Sequence, residues 1–253
     1  MSSPTLANLT VRVFADGAEL SVMLDMYKKP WIKGFTTNPT LMRKAGILDY
    51  RGFAREVLAA IPDRPISFEV FSDDFDDMER QALEIAAWAS NVNVKIPVTN
   101  TRGQFAGPLL TRLSAAGVPL NVTAVMTVDQ VAAIVDALVP GPPAFVSVFA
   151  GRIADTGRDP LPIMAASLER LGARPRTELI WASPRELLNV FQADAIGCHV
   201  ITVTDEILKK LALVGRDLTV FSLETVEMFR ADAVRAGYTL AAASGAASST
   251  NKA

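Results

Sequence analysis

A single (β/α)8 barrel of the α/β class, the TIM barrel, is the fold that this sequence predicts, and two observations carry the prediction. Short apolar, β-branched runs alternate with longer segments whose apolar residues recur at helical spacing. Eight such runs occur within about 200 residues, and each is nearly continuously apolar, as in a parallel sheet covered by helices. A doubly wound open sheet is the alternative, but "DGAELS" after the first run lacks the glycine-rich phosphate-binding pattern of that fold.

The predicted strands follow in order along the chain, and helical patterns separate them. Residues 20–27 carry apolar side chains at i, i+3, i+4 and i+7, and residues 128–138 carry a similar stripe, so each segment is predicted to be a helix with one face on the sheet. The strands are "TVRVFAD" (10–16), "GFTTN" (34–38), "PISFEVF" (65–71), "NVNVKIPV" (91–98), "PLNVTAV" (119–125), "AFVSVFA" (144–150), "TELIWAS" (177–183) and "CHVITV" (198–203).

The C-terminal part of the chain extends beyond the eight repeats. "TDEILKKLAL" predicts the helix that follows the eighth strand, and residues 219–236 predict an extra C-terminal helix that covers the barrel or docks on a neighbouring subunit. We expect one domain over residues 1–240. Residues 241–253 are small and polar and are expected to form a flexible tail.

The composition restricts the class of protein. Half of the residues are hydrophobic, and 27 acidic against 25 basic residues leave no basic surface for nucleic acid. The single cysteine, Cys198, excludes an internal disulfide, and the single histidine, His199, disfavours a histidine-based metal site or a Ser–His triad. The N-terminus lacks an export-signal pattern, and the apolar stretch 131–150 contains an acid and three prolines, so we expect a cytoplasmic protein without a membrane span.

Polar side chains recur near the carboxyl ends of seven predicted strands. In a (β/α)8 barrel these ends meet at one face, where functional side chains gather. Each residue alone has an ordinary explanation, such as a helix cap or an internal ion pair between Glu69 and Lys95. Together they indicate a site, since a buried polar group without a partner costs on the order of a few kcal/mol. They are Asp16, Thr36, Thr37, Asn38, Glu69, Lys95, Asn121, Thr123, Ser147, Arg152 and Ser183.

Lys95 is the most informative of these residues, because it is the one charged side chain in the run 91–98. Burial favours the neutral form of an amine, and a neutral amine inside a barrel is what Schiff-base formation with a ketone requires. A carboxylate such as Asp16 can then take the proton of a hydroxyl beside the breaking carbon–carbon bond, while a Glu/Thr pair holds a water. The set indicates a class I aldol mechanism.

At this point the sequence resembles the transaldolase family. "GFTTNPTLM" (34–42) is similar to the family's signature around the second strand, and "NVKIPVT" (93–99) is similar to the strand of its Schiff-base lysine. The resemblance continues in order through "NVTAVMT" (121–127), "FVSVFAGRIADTG" (145–157), "WASPRE" (181–186) and "HVITVTDEIL" (199–208). It implies a (β/α)8 barrel without metal or organic cofactor that transfers a dihydroxyacetone unit between sugar phosphates.

The resemblance also implies catalytic roles, position by position. Lys95 matches the lysine that forms the Schiff base with the ketose. Asp16 matches the general acid/base that deprotonates the C4 hydroxyl during carbon–carbon cleavage. Glu69 and Thr123 match the pair that positions the catalytic water.

Substrate-binding roles follow from the same resemblance. Asn38 and Ser147 match residues that hydrogen-bond the dihydroxyacetone unit, and Thr36 lies beside them in the signature. Arg152 matches a phosphate-binding arginine, which suits the bidentate geometry of guanidinium and phosphate. Ser183 matches a serine near the phosphate. There the chain departs from the family, because "ASPRE" replaces Ala-Ser-Phe followed by Arg or Lys, so Arg185 corresponds only weakly and another anion, such as a sulfonate, is an alternative.

Two positions bear on the reaction. Fructose-6-phosphate aldolases of this family, which release free dihydroxyacetone, typically have Gln and Tyr where this chain has Glu69 and Phe149, whereas transaldolases have Glu and Phe. We therefore predict a transaldolase, with the aldolase as the alternative and a non-catalytic sugar-phosphate-binding barrel as an alternative of another class. Short family members form pentamer-based decamers and longer ones dimers, so the length predicts a homo-oligomer of the former kind.

Overall fold

A computed structural model describes residues 9–174 and 176–240. The contacts divide the chain between Ala212 and Leu213 into two compact units, which are described in turn. The predicted tail, 241–253, lies outside the described residues. A single domain over 1–240 stays a prediction.

The larger unit is a closed barrel of eight parallel strands, in which each strand lies beside its neighbours in sequence and β8 pairs with β1. This closure confirms the predicted (β/α)8 fold and excludes the open sheet. The strands are β1 (Arg12–Asp16), β2 (Ile32–Thr36), β3 (Ile66–Glu69), β4 (Val92–Pro97), β5 (Leu120–Val125), β6 (Ala144–Val148), β7 (Thr177–Trp181) and β8 (Val200–Thr204).

Helices follow every strand, and the two predicted amphipathic stripes form α1 and α6. A 3₁₀ turn at Lys210–Leu213 comes after the last of them. The helices of this unit are α1 (Leu20–Tyr27), α2 (Pro39–Lys44), α3 (Tyr50–Ala60), α4 (Phe75–Ala86), α5 (Gly107–Ala115), α6 (Val128–Ala137), α7 (Ala150–Ala154), α8 (Leu161–Leu171), α9 (Leu188–Ala195) and α10 (Asp205–Lys209).

The second strand differs from its predicted bounds of 34–38. β2 begins at Ile32 and ends at Thr36, so Thr37 and Asn38 belong to the turn that leads into α2. The Asn38 side chain accepts a hydrogen bond from the Leu41 amide, and Pro39 is the first residue of the helix. An Asn cap followed by proline is a strong helix start, and it ends the strand two residues early.

One step below the strand ends, an apolar layer fills the side of the barrel that β1, β6, β7 and β8 form. Phe14, Phe145, Ile180 and Val200 make up this layer, and the rings of Phe14 and Phe145 meet edge to face at 5.8 Å. Side chains two residues apart on a strand face the same side. Asp16, Ser147 and Thr202 therefore stand directly above Phe14, Phe145 and Val200 on their strands, and the apolar layer is the floor of a polar site on this side of the barrel.

The smaller unit, from residue 213 to 240, contains one helix, α11 (Leu218–Arg235). It confirms the helix predicted at 219–236. The Asp217 side chain caps it by accepting hydrogen bonds from the amides of Thr219 and Val220. No helix in the described part of the chain is long and apolar enough to cross a membrane.

Candidate active site

A cavity of about 490 Å³ opens at the carboxyl ends of the strands. Its wall contains side chains from every strand or from the residue that follows it, as the barrel fold predicts. The ten residues for which the sequence predicts a catalytic or substrate-binding role all line this one cavity: Asp16, Thr36, Asn38, Glu69, Lys95, Thr123, Ser147, Phe149, Arg152 and Ser183. Thr37 and Asn121, the other polar residues at the predicted strand ends, do not line it.

Lys95 lies in the middle of this wall on β4. Its side chain is 7% exposed, and its Nζ donates a hydrogen bond of 2.8 Å to the carbonyl oxygen of Thr37. The same nitrogen lies 3.0 Å from Oε2 of Glu69, whose side chain is 18% exposed. The two residues are register partners on adjacent strands, so the barrel itself holds the amine against the carboxylate. The ion pair that the sequence allowed is thus present inside the cavity.

Asp16 ends β1 and belongs to a chain of hydroxyl groups. Its Oδ1 accepts a hydrogen bond of 2.7 Å from Thr36 Oγ1, which also contacts Thr202 Oγ1. A hydroxyl group has one proton, so Thr202 donates to Thr36 when Thr36 donates to Asp16. Burial raises the pKa of the Asp16 carboxyl above its usual value and Glu69 adds to the rise, although Lys95 and the Thr36 hydrogen bond oppose it.

Thr123 stands next to an irregularity in β5. The register with β6 passes from Val122↔Val146 to Val125↔Val148, so β5 carries one extra residue there, and Ala124 has a left-handed φ of 62°. Thr123 and Ala124 both line the cavity as a result. The Thr123 hydroxyl is buried and has no hydrogen-bond partner among the described residues, which leaves it available to a water or a substrate.

Ser147 is held in place by two buried polar side chains from β5 and β3. Its hydroxyl donates a hydrogen bond of 2.7 Å to Oδ1 of Asn121, whose Nδ2 donates one of 3.0 Å to the hydroxyl of Ser67. All three side chains are buried. The chain of hydrogen bonds fixes the Ser147 oxygen at the cavity wall, where it retains the capacity to accept a hydrogen bond.

The outer part of the cavity is cationic. Arg152 on α7 and Lys44 on α2 both line it. Arg185 lines it too, but Asp155 pairs with this guanidinium, the contact with Nε being 2.9 Å. Hydrogen bonding to Arg185 holds the pKa of the Asp155 carboxyl below its usual value, so the pair stays ionised.

Several cavity residues escape sequence reasoning. Thr202 on β8 was not predicted, since threonine is common in any strand; its position two residues after an interior valine is the signal that points it inward. Lys44 carries no motif signal. The pairing of Arg185 with Asp155 joins residues 30 positions apart, so no local pattern reveals it.

Cys198 and His199, the single cysteine and the single histidine of the sequence, do not line the cavity. Cys198 is buried, and burial raises the pKa of its thiol to about 12, so it is not a reactive thiolate at neutral pH. His199 Nδ1 accepts a hydrogen bond of 3.0 Å from the Leu179 amide. Both residues precede β8, at the amino-terminal end of the barrel.

Comparison with known families gives the decisive observation. The family model described as "Transaldolase/Fructose-6-phosphate aldolase" matches residues 13–244. The chain belongs to this family. The match covers all of the barrel except the first residue of β1 and confirms the resemblance found in "GFTTNPTLM" and "NVKIPVT". The catalytic and substrate-binding roles of single residues stay predictions.

Relatives within the transaldolase/fructose-6-phosphate aldolase family support the assignment. A "Probable transaldolase" of Dehalococcoides mccartyi is 35% identical over 204 residues, which cover 79% of this chain and 90% of that protein. A "Probable transaldolase" of a Thermoanaerobacter species is 34% identical over 228 residues, covering 90% and 99%. The dihydrodipicolinate synthase of Rhodopseudomonas palustris has a TM-score of 0.53 at 15% identity, covering 79% of this chain and 71% of that one, and shares the fold alone.

Proposed function

We propose that the protein is a transaldolase that carries a dihydroxyacetone unit from a ketose phosphate to an aldose phosphate as a Schiff base on Lys95. The buried amine of Lys95, held 3.0 Å from Glu69 inside the cavity, is the observation that carries the proposal. A lysine amine is the nucleophile that class I aldol chemistry requires. The names of the relatives agree with this reaction.

The first step joins the enzyme to the ketose. Lys95 gives up a proton, and its Nζ then attacks the C2 carbonyl carbon to form a carbinolamine, which loses water to become an iminium ion. Glu69 contacts the amine, and the Thr123 hydroxyl, which has no partner within the described part of the chain, lies on the same cavity wall. These two residues are suited to hold the water that leaves in this step and returns when the Schiff base is hydrolysed.

The second step breaks the carbon–carbon bond and makes a new one. The Asp16 carboxylate takes the proton of the C4 hydroxyl, the C3–C4 bond breaks, and the bonding electrons pass to the iminium to give an enamine. The aldehyde leaves. The enamine carbon then attacks the acceptor aldehyde, whose oxygen takes the proton back from Asp16. The raised pKa suits this role, because it makes Asp16 a stronger proton acceptor than an ordinary carboxylate.

Phe149 and Glu69 favour transfer of the dihydroxyacetone unit to an acceptor over its release as free dihydroxyacetone. An aldolase must protonate the enamine, whereas a transaldolase keeps it until an aldehyde arrives. Phe149 places an apolar ring at the cavity wall, packed against the apolar layer, and offers no phenol that could orient water towards the enamine. Glu69 is a carboxylate engaged with Lys95. The aldolase reaction is therefore the second candidate.

The cationic outer end of the cavity supports a substrate with a terminal anion. Arg152 is exposed and reaches the cavity, and the neighbouring Ser183 can donate a hydrogen bond. Arg185 is already paired with Asp155. We propose that Arg152 and Ser183 bind a phosphate, with a sulfonate as the other anion that this arrangement fits.

Chemical trapping tests the Schiff base. The protein is incubated with fructose 6-phosphate and reduced with borohydride, and the adduct is mapped by mass spectrometry. We expect a reduced ketose or three-carbon adduct on Lys95 in the wild type and in a Lys33→Met control, since Lys33 is exposed at the amino-terminal part of β2. Lys95→Met should abolish it. An adduct that persists in Lys95→Met, or binding of several ketoses without any adduct, contradicts the proposal; the latter result favours a binding protein.

Aldehyde release then separates the two reactions. Release of glyceraldehyde 3-phosphate from fructose 6-phosphate is measured with and without erythrose 4-phosphate. A transaldolase releases one equivalent per site until the acceptor is added, because the enamine cannot turn over without it. Steady release that ignores the acceptor, with free dihydroxyacetone as co-product, indicates the aldolase.

A further inference from the structure

Tyr50 makes two hydrogen bonds to the backbone of Glu69 from outside the barrel. It is the first residue of α3, and its hydroxyl donates to the Glu69 carbonyl oxygen at 2.8 Å. The same hydroxyl accepts a hydrogen bond of 2.9 Å from the Glu69 amide. One side chain thus satisfies both backbone groups of the residue whose carboxylate contacts Lys95.

The hydroxyl replaces a missing piece of strand. β2 pairs with β3 only at Phe35↔Ile66 and Thr36↔Ser67, and the last backbone bond between them runs from the Thr37 amide to the Ser67 carbonyl oxygen. After Thr37 the chain turns into α2 and no longer runs beside β3. Residues of a parallel strand bond alternately to the two sides, and Val70 bonds to β4 through Lys95. The Glu69 amide and carbonyl therefore face the gap that β2 has left.

The position of the hydroxyl is fixed by an aromatic cluster. The Tyr50 ring meets Phe68 edge to face at 6.3 Å and Phe71 at 5.5 Å, and it lies tilted at 5.9 Å from Trp88. Burial raises the pKa of the Tyr50 phenol, so it stays protonated and keeps its donor at neutral pH. The hydroxyl can therefore serve as donor and acceptor at once.

We propose that Tyr50 is a positioning residue for Glu69, and this inference rests on the proposed function of that carboxylate. By clamping both backbone groups at the open end of β3, Tyr50 keeps the Glu69 side chain on Lys95. Without the clamp, the last residue of β3 is tied to the sheet on the β4 side alone. Its carboxylate then samples positions away from the amine and the water, which slows formation and hydrolysis of the Schiff base.

The variant Tyr50→Phe removes the hydroxyl and keeps the ring in its cluster. Tyr27→Phe is the matched control, because the Tyr27 hydroxyl bonds to Asp63 on the outside of the barrel. We expect Tyr50→Phe to slow formation of the reducible Lys95 adduct by roughly ten- to a hundred-fold, as small misplacements of catalytic groups do. KM should change little. Thermal unfolding of both variants fixes a temperature at which each is fully folded.

Two further measurements distinguish positioning from a general structural role. Hydrogen exchange of the Glu69 amide, followed without substrate, should accelerate in Tyr50→Phe and stay unchanged in Tyr27→Phe. In a Glu69→Gln background, Tyr50→Phe should add less than about a two-fold loss, because coupled residues act through one group. An unchanged amide exchange or adduct rate overturns the proposal, and so does a full additional loss in the Glu69→Gln background. If the wild type forms no adduct, the proposed function fails, and amide exchange still decides whether Tyr50 holds Glu69.

Discussion

At the scale of single residues, the hydroxyl of Thr36 is one of the groups that determine how readily Asp16 ionises, after burial and Lys95. Burial raises the pKa of Asp16, and the Thr36 hydrogen bond lowers it by stabilising the carboxylate. A general base works in its ionised form, so activity falls as pH drops through its pKa. The hydrogen bond therefore extends the active range to lower pH.

Thr36→Val removes this hydrogen bond and should raise the pKa of Asp16 further. We expect the acidic limb of the kcat/KM profile to move to higher pH by roughly one unit, since a hydrogen bond of about 1 kcal/mol corresponds to a little under one pKa unit. Thr177→Val is the control, because Thr177 is buried at the amino-terminal end of β7. An acidic limb that stays in place or moves to lower pH contradicts the assignment of Asp16 as the base.

At the scale of elements, α7 is docked against the loop after β7 at a position where only glycine fits. A Cβ added to Gly151 would lie 1.6 Å from the Ser183 carbonyl oxygen. Ser183 itself has a left-handed φ of 59°, so its backbone has little freedom to move aside. The contact holds α7, which carries Arg152, against the backbone of Ser183, and both side chains line the cavity.

Gly151→Ala should lower the free energy of unfolding by about 1–3 kcal/mol, the usual range for overpacking. Displacement of the β7–α9 loop should also raise KM for a phosphorylated ketose. Urea unfolding and steady-state kinetics measure the two effects. Gly17→Ala is the control for stability, since nothing lies within 4 Å of an added Cβ there. Equal stability of the two variants would show that the loop yields without strain.

At the scale of the whole molecule, α11 carries many exposed apolar side chains. Its large hydrophobic residues occur on all sides of the helix, and none of its residues is buried. Exposed apolar side chains in this number normally mark a surface that another protein covers. The exposed residues are Leu218, Val220, Phe221, Leu223, Val226, Met228, Phe229 and Val234. We propose that α11 packs against another copy of the chain in a homo-oligomer.

Phe229→Glu tests this assembly, because it places a charge on the apolar surface of α11. We expect light scattering after size exclusion to show a smaller oligomer or a monomer. Ser222→Glu adds the same charge at an exposed polar position of the helix and should leave the mass unchanged. A monomeric wild type, or a Phe229→Glu variant with the wild-type mass, contradicts the proposal.

The residues at the carboxyl ends of the strands were predictable from the sequence, because both the strand positions and the face where the strands end follow from simple rules. Apolar runs locate the strands, and a barrel brings all their carboxyl ends to one face, so Lys95 and Asp16 could be placed in one cavity from their positions alone. The family motifs then implied roles for them. Asn38 shows the limit of a strand pattern: its run looked extended, but the Asn-Pro pair begins a helix.

Contacts made by residues far apart in sequence were not predictable. Tyr50 reaches Glu69 from 19 positions away, and Thr202 reaches Thr36 from 166 positions away. Both contacts use hydroxyl groups, which suit strands, helices and solvent alike and so leave no pattern in the sequence. The sequence also gives no signal of the extra residue in β5, because "NVTAVMT" has the pattern of a regular strand.

The extra residue in β5 ties the shape of the cavity to the conformation of its own backbone. It directs two consecutive side chains, Thr123 and Ala124, into the cavity, where a regular strand would direct one. Position 124 is thus a place where a larger side chain would narrow the substrate range without touching the core. Its left-handed φ opposes such a change, most strongly for β-branched residues, and glycine is the replacement it accepts without strain. A change of substrate preference through substitution at position 124 is therefore limited by the backbone conformation there and not by side-chain packing.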